Sequence, residues 1–256
     1  MSQEITLSHR EIWNNKPVLR AVYHNYYDLI LSQTIPGTLL EVGGGSGNFA
    51  SYLNKLSSSK HTLYSTDITK APDTHVVSDA HFLPFANNSF DNIVMMDTLH
   101  HLERPLKFLN ESYRVLKNKG RLILLEPGMT PLSILFFKLF HDEPIHMNVN
   151  PLEDGPLSND RKPFDANQAI PDLIFNKFQA QFLSLFPNFV ICKIQRKSVF
   201  AYPLSGGFKK WSLIPNRCIQ HALKLDEKLE FLSSLLSFRL FIVIEKVMPH
   251  EHKIKN

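Results

Sequence analysis

The sequence predicts an α/β fold, a doubly wound and mostly parallel sheet, and three observations carry that prediction. Short apolar runs alternate with helical spacing from Thr38 onward. Runs of that length, separated by helices, suit parallel strands covered on both faces. Four of the ten glycines (Gly43, Gly44, Gly45, Gly47) fall in one five-residue window after the first run. Glycine costs backbone entropy, so such a cluster marks a turn that needs unusual dihedrals or a close approach. Finally, 43% hydrophobic and 20% charged residues in a 256-residue chain are ordinary for a globular protein, one long enough to build its own core.

The elements follow in order. Residues 8–31 place Ile12, Trp13, Leu19, Val22, Tyr23, Tyr26, Tyr27 and Ile30 at near-helical spacing, with Pro17 expected to break or restart the helix. Pro36-Gly37 punctuates the chain. Strands are expected at 38–42, 61–66, 74–77, 92–96 and 121–125, and helices at 48–56 and 105–116. Beyond Glu126 the rhythm changes: Pro131, Pro144, Pro151, Pro156, Pro163 and Pro171 interrupt it before a helical stretch at 174–186. Strands are expected again at 189–198 and 240–247, with a long segment (203–236) between them. One domain is expected over 1–256: an N-terminal helical cap (1–36), a core (37–126), an insertion and helix (127–188), and two last strands (189–256) with 203–236 as a lid-like segment.

Composition excludes several classes. Cys192 and Cys218 have no partner at disulfide-framework or zinc spacing. The N-terminus lacks the apolar run of a secretory signal, and no stretch reaches the roughly 20 uninterrupted apolar residues of a span. A cytoplasmic protein is expected, with peripheral contact at the inner membrane face left open. Charge is uneven: residues 1–129 hold 12 acidic and 12 basic side chains, while 173–225 hold eight basic residues and no acid. That stretch reads either as a solvated basic face or as an attraction to an anionic substrate or membrane surface. No nucleic-acid motif is present, and the sequence leaves the oligomeric state open.

The glycine cluster joins a buried strand to a helix, at the carboxyl end of the strands, where doubly wound sheets bind ligands. Bare backbone admits the ligand, and amides at the helix start supply donors. Asp67 ends the next strand 20 residues past Gly47, the spacing of a carboxylate that accepts from ribose hydroxyls. A dinucleotide fingerprint would demand glycine where Asn48 stands, so a nicotinamide oxidoreductase fits less well. The pattern is E-x-G-x-G-x-G over Glu41–Gly47.

In that pattern the sequence resembles the class I S-adenosylmethionine-dependent methyltransferases, small-molecule branch, similar to quinone-biosynthesis types. Further segments carry the resemblance in order over 37–126: Asp67-Ile68, Ser78-Asp79-Ala80 with Leu83-Pro84-Phe85, Ser89-Phe90-Asp91 leading into Ile93–Leu102, and Arg114-Val115-Leu116-Lys117 before Gly120–Leu124. The resemblance implies a Rossmann-like sheet with an antiparallel last strand. It implies S-adenosyl-L-methionine as cofactor and methyl transfer to a small or lipid-linked acceptor, most simply at oxygen. It assigns the cofactor to Glu41 (ammonium), Gly43, Gly44, Gly45 and Gly47 (backbone approach), Asp67 and Ile68 (ribose and adenine), Asp79 and Ala80 (adenine edge), and Asp97 at the end of the fourth strand.

Methyl transfer from a sulfonium needs no metal, and none is expected. A hydroxyl acceptor needs a base, and His100 and His101, at the rim after the fourth strand, are the candidates. Glu143, His146 and Asp165 in the proline-rich insertion are candidates to touch substrate, as are Trp13 and Tyr23 in the leading helices. His141-Asp142-Glu143-Pro144-Ile145-His146 collects metal-capable groups but lacks the H-E-x-x-H spacing. Tyr202–Trp211 pairs a glycine hinge with aromatics and cations, so Lys209 is a candidate to grip an anionic or lipid-linked acceptor. A non-catalytic cofactor-binding module that regulates a partner is the alternative from another class.

Overall fold

The computed structural model describes residues 2–57, 59–71, 73–141, 143–162 and 165–248. Asp142 and Pro163, both named above, lie outside the described residues. Two helices lead: α1 (Ser2–Asn15) and α2 (Pro17–Leu31). Pro17 occupies the first turn of α2, where its missing N–H costs nothing, so it restarts the helix rather than kinking it. The strands are β1 (Gly37–Val42), β2 (His61–Asp67), β3 (Val76–Val77), β4 (Phe90–Met96), β5 (Leu116–Pro127), β6 (Phe189–Lys197) and β7 (Arg239–Lys246). Between them run α3 (Asn48–Lys55), α4 (Pro105–Val115) and α5 (Pro131–Phe140), with shorter helical turns after residue 169.

These strands form one seven-stranded sheet in the order β3-β2-β1-β4-β5-β7-β6. β1 pairs in parallel with both β2 and β4. β4 pairs in parallel with β5, and β7 runs antiparallel to both β5 and β6. The chain order reverses at β1, which opens a crevice above the carboxyl ends of β1 and β4.

Side-chain alternation explains the layers. Leu122 and Leu124 of β5 pack with α4 and the 170–186 segment, while Ile123 and Leu125 point to the opposite core under α2. Leu39 and Leu40 of β1 divide in the same way. The α2 face of Val18, Leu19, Val22, Tyr23, Tyr26, Tyr27 and Ile30 is buried, so its aromatics serve as sheet cover.

Among the boundaries that differ from the sequence reading, three have a clear physical reason. β3 shrinks to two residues because only Val76 and Val77 reach β2. β5 extends from both ends, since Leu116 pairs with Phe90 across a register shift and Pro127 pairs with Arg239. The helix expected at 174–186 begins at Ile170 and passes through a π-turn at Leu173–Lys177 before resuming at Gln179–Leu185.

Candidate active site

The carboxyl ends of β1, β2 and β4 and the 141–168 insertion enclose a cleft of about 1410 Å³. That exceeds the roughly 300–1,000 Å³ typical of a pocket for one small ligand.

Its floor is the glycine turn. Gly43 and Gly45 both adopt positive φ (78° and 52°). A side chain at Gly43 would collide with Thr98, whereas one at Gly45 would project into open space. Gly45 is thus bare backbone facing the cleft, the surface a ligand can approach. Gly47 caps α3 in a left-handed conformation against Asp73, so its role is to start the helix. Asp67 sits beside the turn: one carboxylate oxygen accepts from the Gly45 amide at 2.8 Å, and the other accepts from the amide and hydroxyl of Thr69, both at 2.8 Å. Ile68 next to it leaves a large apolar side chain exposed.

Glu41 lies behind the turn, buried, and accepts from the Ser65 hydroxyl at 2.5 Å. Burial pushes its carboxyl pKa up to about 7, against the Ser65 hydrogen bond that favours the anion. A buried acid raised in this way gains most from an incoming cation.

The opposite end of the cleft is already paired. Burial opposes ionisation of Asp79, but the His81 ring at 2.6 Å, the His81 amide and the Arg161 guanidinium together hold its carboxyl well below the usual range. Arg161 comes from the insertion, so this acid is bridged by the roof.

At the end of β4, Asp97 takes a positive φ of 50° and accepts from the Tyr23 hydroxyl at 3.0 Å and from Arg239. Arg239 is buried and stacks on the Tyr202 ring at 3.9 Å. Burial works against its charge, and Asp97 more than offsets that, holding the guanidinium pKa above its ordinary value.

The two histidines occupy opposite environments. His100 is buried, with Nδ1 donating to Glu126 at 2.7 Å and Nε2 facing Glu143 at 3.5 Å. Desolvation lowers its pKa, but the two carboxylates outweigh it and raise the pKa to about 9. At neutral pH this ring carries a proton on each nitrogen. Glu126 is held by the Thr98 and Leu99 amides, each donating at 2.9 Å, so backbone at the end of β4 sets the whole pair. His101 lines the cleft, and its pKa is lowered by burial and by the neighbouring His100 cation. Its Nδ1 lies 3.3 Å from the Asp165 carbonyl, which can only accept. That contact favours the tautomer with hydrogen on Nδ1, which puts the lone pair on Nε2, 4.0 Å from Glu143. Glu143 accepts from Gln168 as well, and His100 holds its carboxyl down at about 2 despite burial. The ligand-capable atoms of His100, His101 and Glu143 lie within 4.8 Å of one another, near enough to hold an ion. The charge pairing of His100 with Glu143 accounts for that closeness by itself.

The cleft therefore gathers Glu41, Gly43, Gly44, Gly45, Asp67, Ile68, Asp79, Ala80, Asp97, both histidines, Tyr23, Glu143, His146, Asp165 and Lys209. Gly47 stands behind it. Trp13 is packed against Tyr23, His24 and Tyr27 rather than in the wall, and α1 reaches the cleft through His9 instead. The amide and carbonyl of His146 are tied to Asn167, a structural pairing that steadies the roof. Sequence reading passed over Glu126, Arg161, Gln168 and Arg239. For Glu126 a signal existed, a carboxylate at the carboxyl end of a buried strand. For the others, chemistry depends on partners 25 or more residues away in the chain.

Part of the chain is similar to known proteins. Residues 40–124 match the family model described as a methyltransferase domain. Over 99 residues the chain is 37% identical to a demethylmenaquinone methyltransferase of Chlamydia muridarum, covering 34% of this chain and 43% of that one. A ubiquinone/menaquinone biosynthesis C-methyltransferase, UbiE, of Vibrio cholerae is 32% identical over 117 residues, covering 38% of this chain and 45% of its own. The chain thus spans less than half the length of these two relatives. Among solved structures, an S-adenosylmethionine-dependent methyltransferase from Archaeoglobus fulgidus superposes with TM-score 0.50 at 16% identity, over 89% of this chain and 92% of its own. The [4+2]-cyclase SpnF superposes with TM-score 0.53 at 16% identity, over 88% and 81%. At such identities these two likenesses concern the fold alone.

Proposed function

We propose that this chain, built on a class I S-adenosylmethionine-dependent methyltransferase core, moves a methyl group to a small or lipid-linked acceptor bearing an acidic hydroxyl. The observation that carries the reading is the split between the two adjacent histidines. His101 is kept neutral with its lone pair on Nε2, while His100 is kept charged between Glu126 and Glu143. Pairs of titratable groups pushed apart by their surroundings mark acid and base assignments.

The residues present fit the cofactor. Gly45 offers bare backbone to its methionine part, Glu41 a buried acid to its ammonium, Asp67 a carboxylate to its ribose, and Ile68 an exposed apolar face to its adenine. Asp79 is to accept from the adenine amino group once Arg161 yields it. When bound, the cofactor supplies an electrophilic methyl on a positive sulfonium. The chain's own part is then to hold the acceptor in line with that methyl, and to remove the acceptor proton. His101 Nε2 takes that proton, and the Glu143 carboxylate stabilises the imidazolium that results. Glu126 and His100 hold Glu143 in place, which makes them positioning residues.

Loss of a proton from a phenol or enol creates a nucleophile at both oxygen and the adjacent carbon. Oxygen is our first reading. The C-methyltransferase relatives favour carbon as the second reading, and the same base serves both. Incubation with methyl-labelled S-adenosylmethionine and cell extract, followed by mass spectrometry of soluble and lipid fractions, tests the reading. A labelled hydroxyl-derived product whose formation falls roughly 100-fold or more in His101→Ala agrees with it. Label transferred undiminished by His101→Ala overturns the base assignment, and label on no small molecule or lipid overturns the acceptor class.

A further inference from the structure

An amphipathic helix of a globular protein normally turns its apolar stripe inward, but α5 keeps much of its own outside. The helix is firmly seated. Thr130 and Ser133 form a capping box at its start, and buried Phe137 packs on Phe238. Yet Leu135, Leu139 and Phe140 are 56%, 64% and 60% exposed, and its only charged residue is Lys138. Leu135 and Leu139 stand one turn apart on one face.

The neighbouring elements extend this face. The Ser233–Leu236 turn packs against α5 and leaves Leu235 exposed. Lys209 Nζ donates to the Phe140 carbonyl at 3.0 Å, which brings the 206–213 loop alongside with exposed Trp211 and Leu213. That loop is fixed from behind, since buried Lys16 donates to the carbonyls of Gly207 and Lys209, both at 2.7 Å. Its apolar side chains are therefore presented by a set backbone. Charge supplies the second observation. Lys138, Lys209 and Lys210 are exposed here, while residues 127–141 and 199–225 contain no aspartate or glutamate. Phe140, Lys209 and Trp211 also line the cleft, so the patch borders its mouth.

We propose, resting on the acceptor reading above for its purpose but not for the binding itself, that this face docks on an anionic lipid bilayer. Leu135, Leu139, Phe140 and Trp211 enter the headgroup boundary, and Lys138, Lys209 and Lys210 meet lipid phosphates. Exposed apolar area and attraction to anionic lipid together hold such surfaces. Apolar projections flanked by Lys138, Lys209 and Lys210 fit a bilayer better than a second copy of the chain, whose identical lysines would repel. Docking there turns the cleft mouth toward the membrane, where a lipid-linked acceptor resides.

Co-sedimentation of the full chain with vesicles of phosphatidylcholine alone or with one quarter phosphatidylglycerol tests this. The expected result is pelleting with the anionic vesicles, reduced roughly tenfold or more by Leu135→Glu/Leu139→Glu and by Lys138→Glu/Lys210→Glu, and weakened by salt. Calorimetric binding of S-adenosylmethionine, unchanged in both variants, shows that they fold and tests the cofactor reading separately. Absence of pelleting, or pelleting that both variants retain, overturns the proposal. So does concentration-dependent dimerisation abolished by Leu135→Glu/Leu139→Glu, which would assign the face to a second copy.

Discussion

His100 and His101 are neighbours in the chain, and their partners alone make one a cation and the other a base. Glu126 reaches His100 from the next strand of the sheet and Glu143 reaches it from the insertion, whereas His101 meets a backbone carbonyl. His101 must be neutral to accept a proton, so its lowered pKa places the acid limb of the rate below the ordinary histidine value of about 6.5. The rate should rise with pH through that limb, hold across neutrality, and decline as His100 loses its proton near about 9. A single rise centred above pH 8 in kcat would contradict the assignment. Glu41 gives a second expectation. Its folded pKa of about 7 lies above the unfolded value near 4.5, so the stability it allows is full below about pH 4.5 and is lost as pH rises through about 7. Glu41→Gln keeps the shape and removes that charging cost. It should raise unfolding free energy at pH 8, by an amount on the order of 3 kcal/mol at most, while weakening cofactor binding. Equal stability of the two proteins at pH 8 would count against a buried, charge-starved Glu41. The histidine pair was legible as a motif, but its division of labour was not, because both carboxylates and the carbonyl lie more than 20 residues away.

Among the elements, β4, β7 and α2 meet at one ion pair whose guanidinium is buried. Arg239 opens β7, Asp97 follows β4, and Tyr23 and Tyr26 come from α2 with Tyr202 closing over the guanidinium. In the sequence Arg239 only precedes the apolar run 240–244, and a single charge there gives no hint of its partner. Removing one member leaves a buried charge alone, so Asp97→Ala should cost about 3–5 kcal/mol in chemical denaturation. Arg239→Met, which removes the charge that needs a partner, should cost less. The reverse order would show that Arg239 is solvated in some other way. The strands themselves were readable because β1, β4 and β5 are apolar on both faces, and their helices announce themselves with Pro17 and Pro105 in the first turn. β5 was read too short because Lys117, Asn118 and Lys119 look like a turn, and only pairing beside β4 draws Leu116 into the sheet.

The whole molecule sets a roof over a core whose middle matches the family model. The order of β1 to β4 and the glycine turn belong to the matched segment, residues 40–124, where the ordered motifs made the cleft floor legible. The roof was legible only in part: Glu143 stood out by its residue type, but Arg161 and Gln168 acquire meaning only when the insertion folds over the β-strand ends. A fold that also superposes on a cyclase does not by itself dictate methyl transfer. We propose that the cleft is an S-adenosylmethionine site with Asp67 as its ribose acid. Calorimetric titration of the intact chain with S-adenosylmethionine tests it most directly. Binding in the micromolar range, weakened roughly 30-fold or more by Asp67→Ala through the loss of charge-assisted hydrogen bonds, is the predicted result. Affinity for a nicotinamide dinucleotide with none for S-adenosylmethionine, or binding that Asp67→Ala leaves intact, would contradict it.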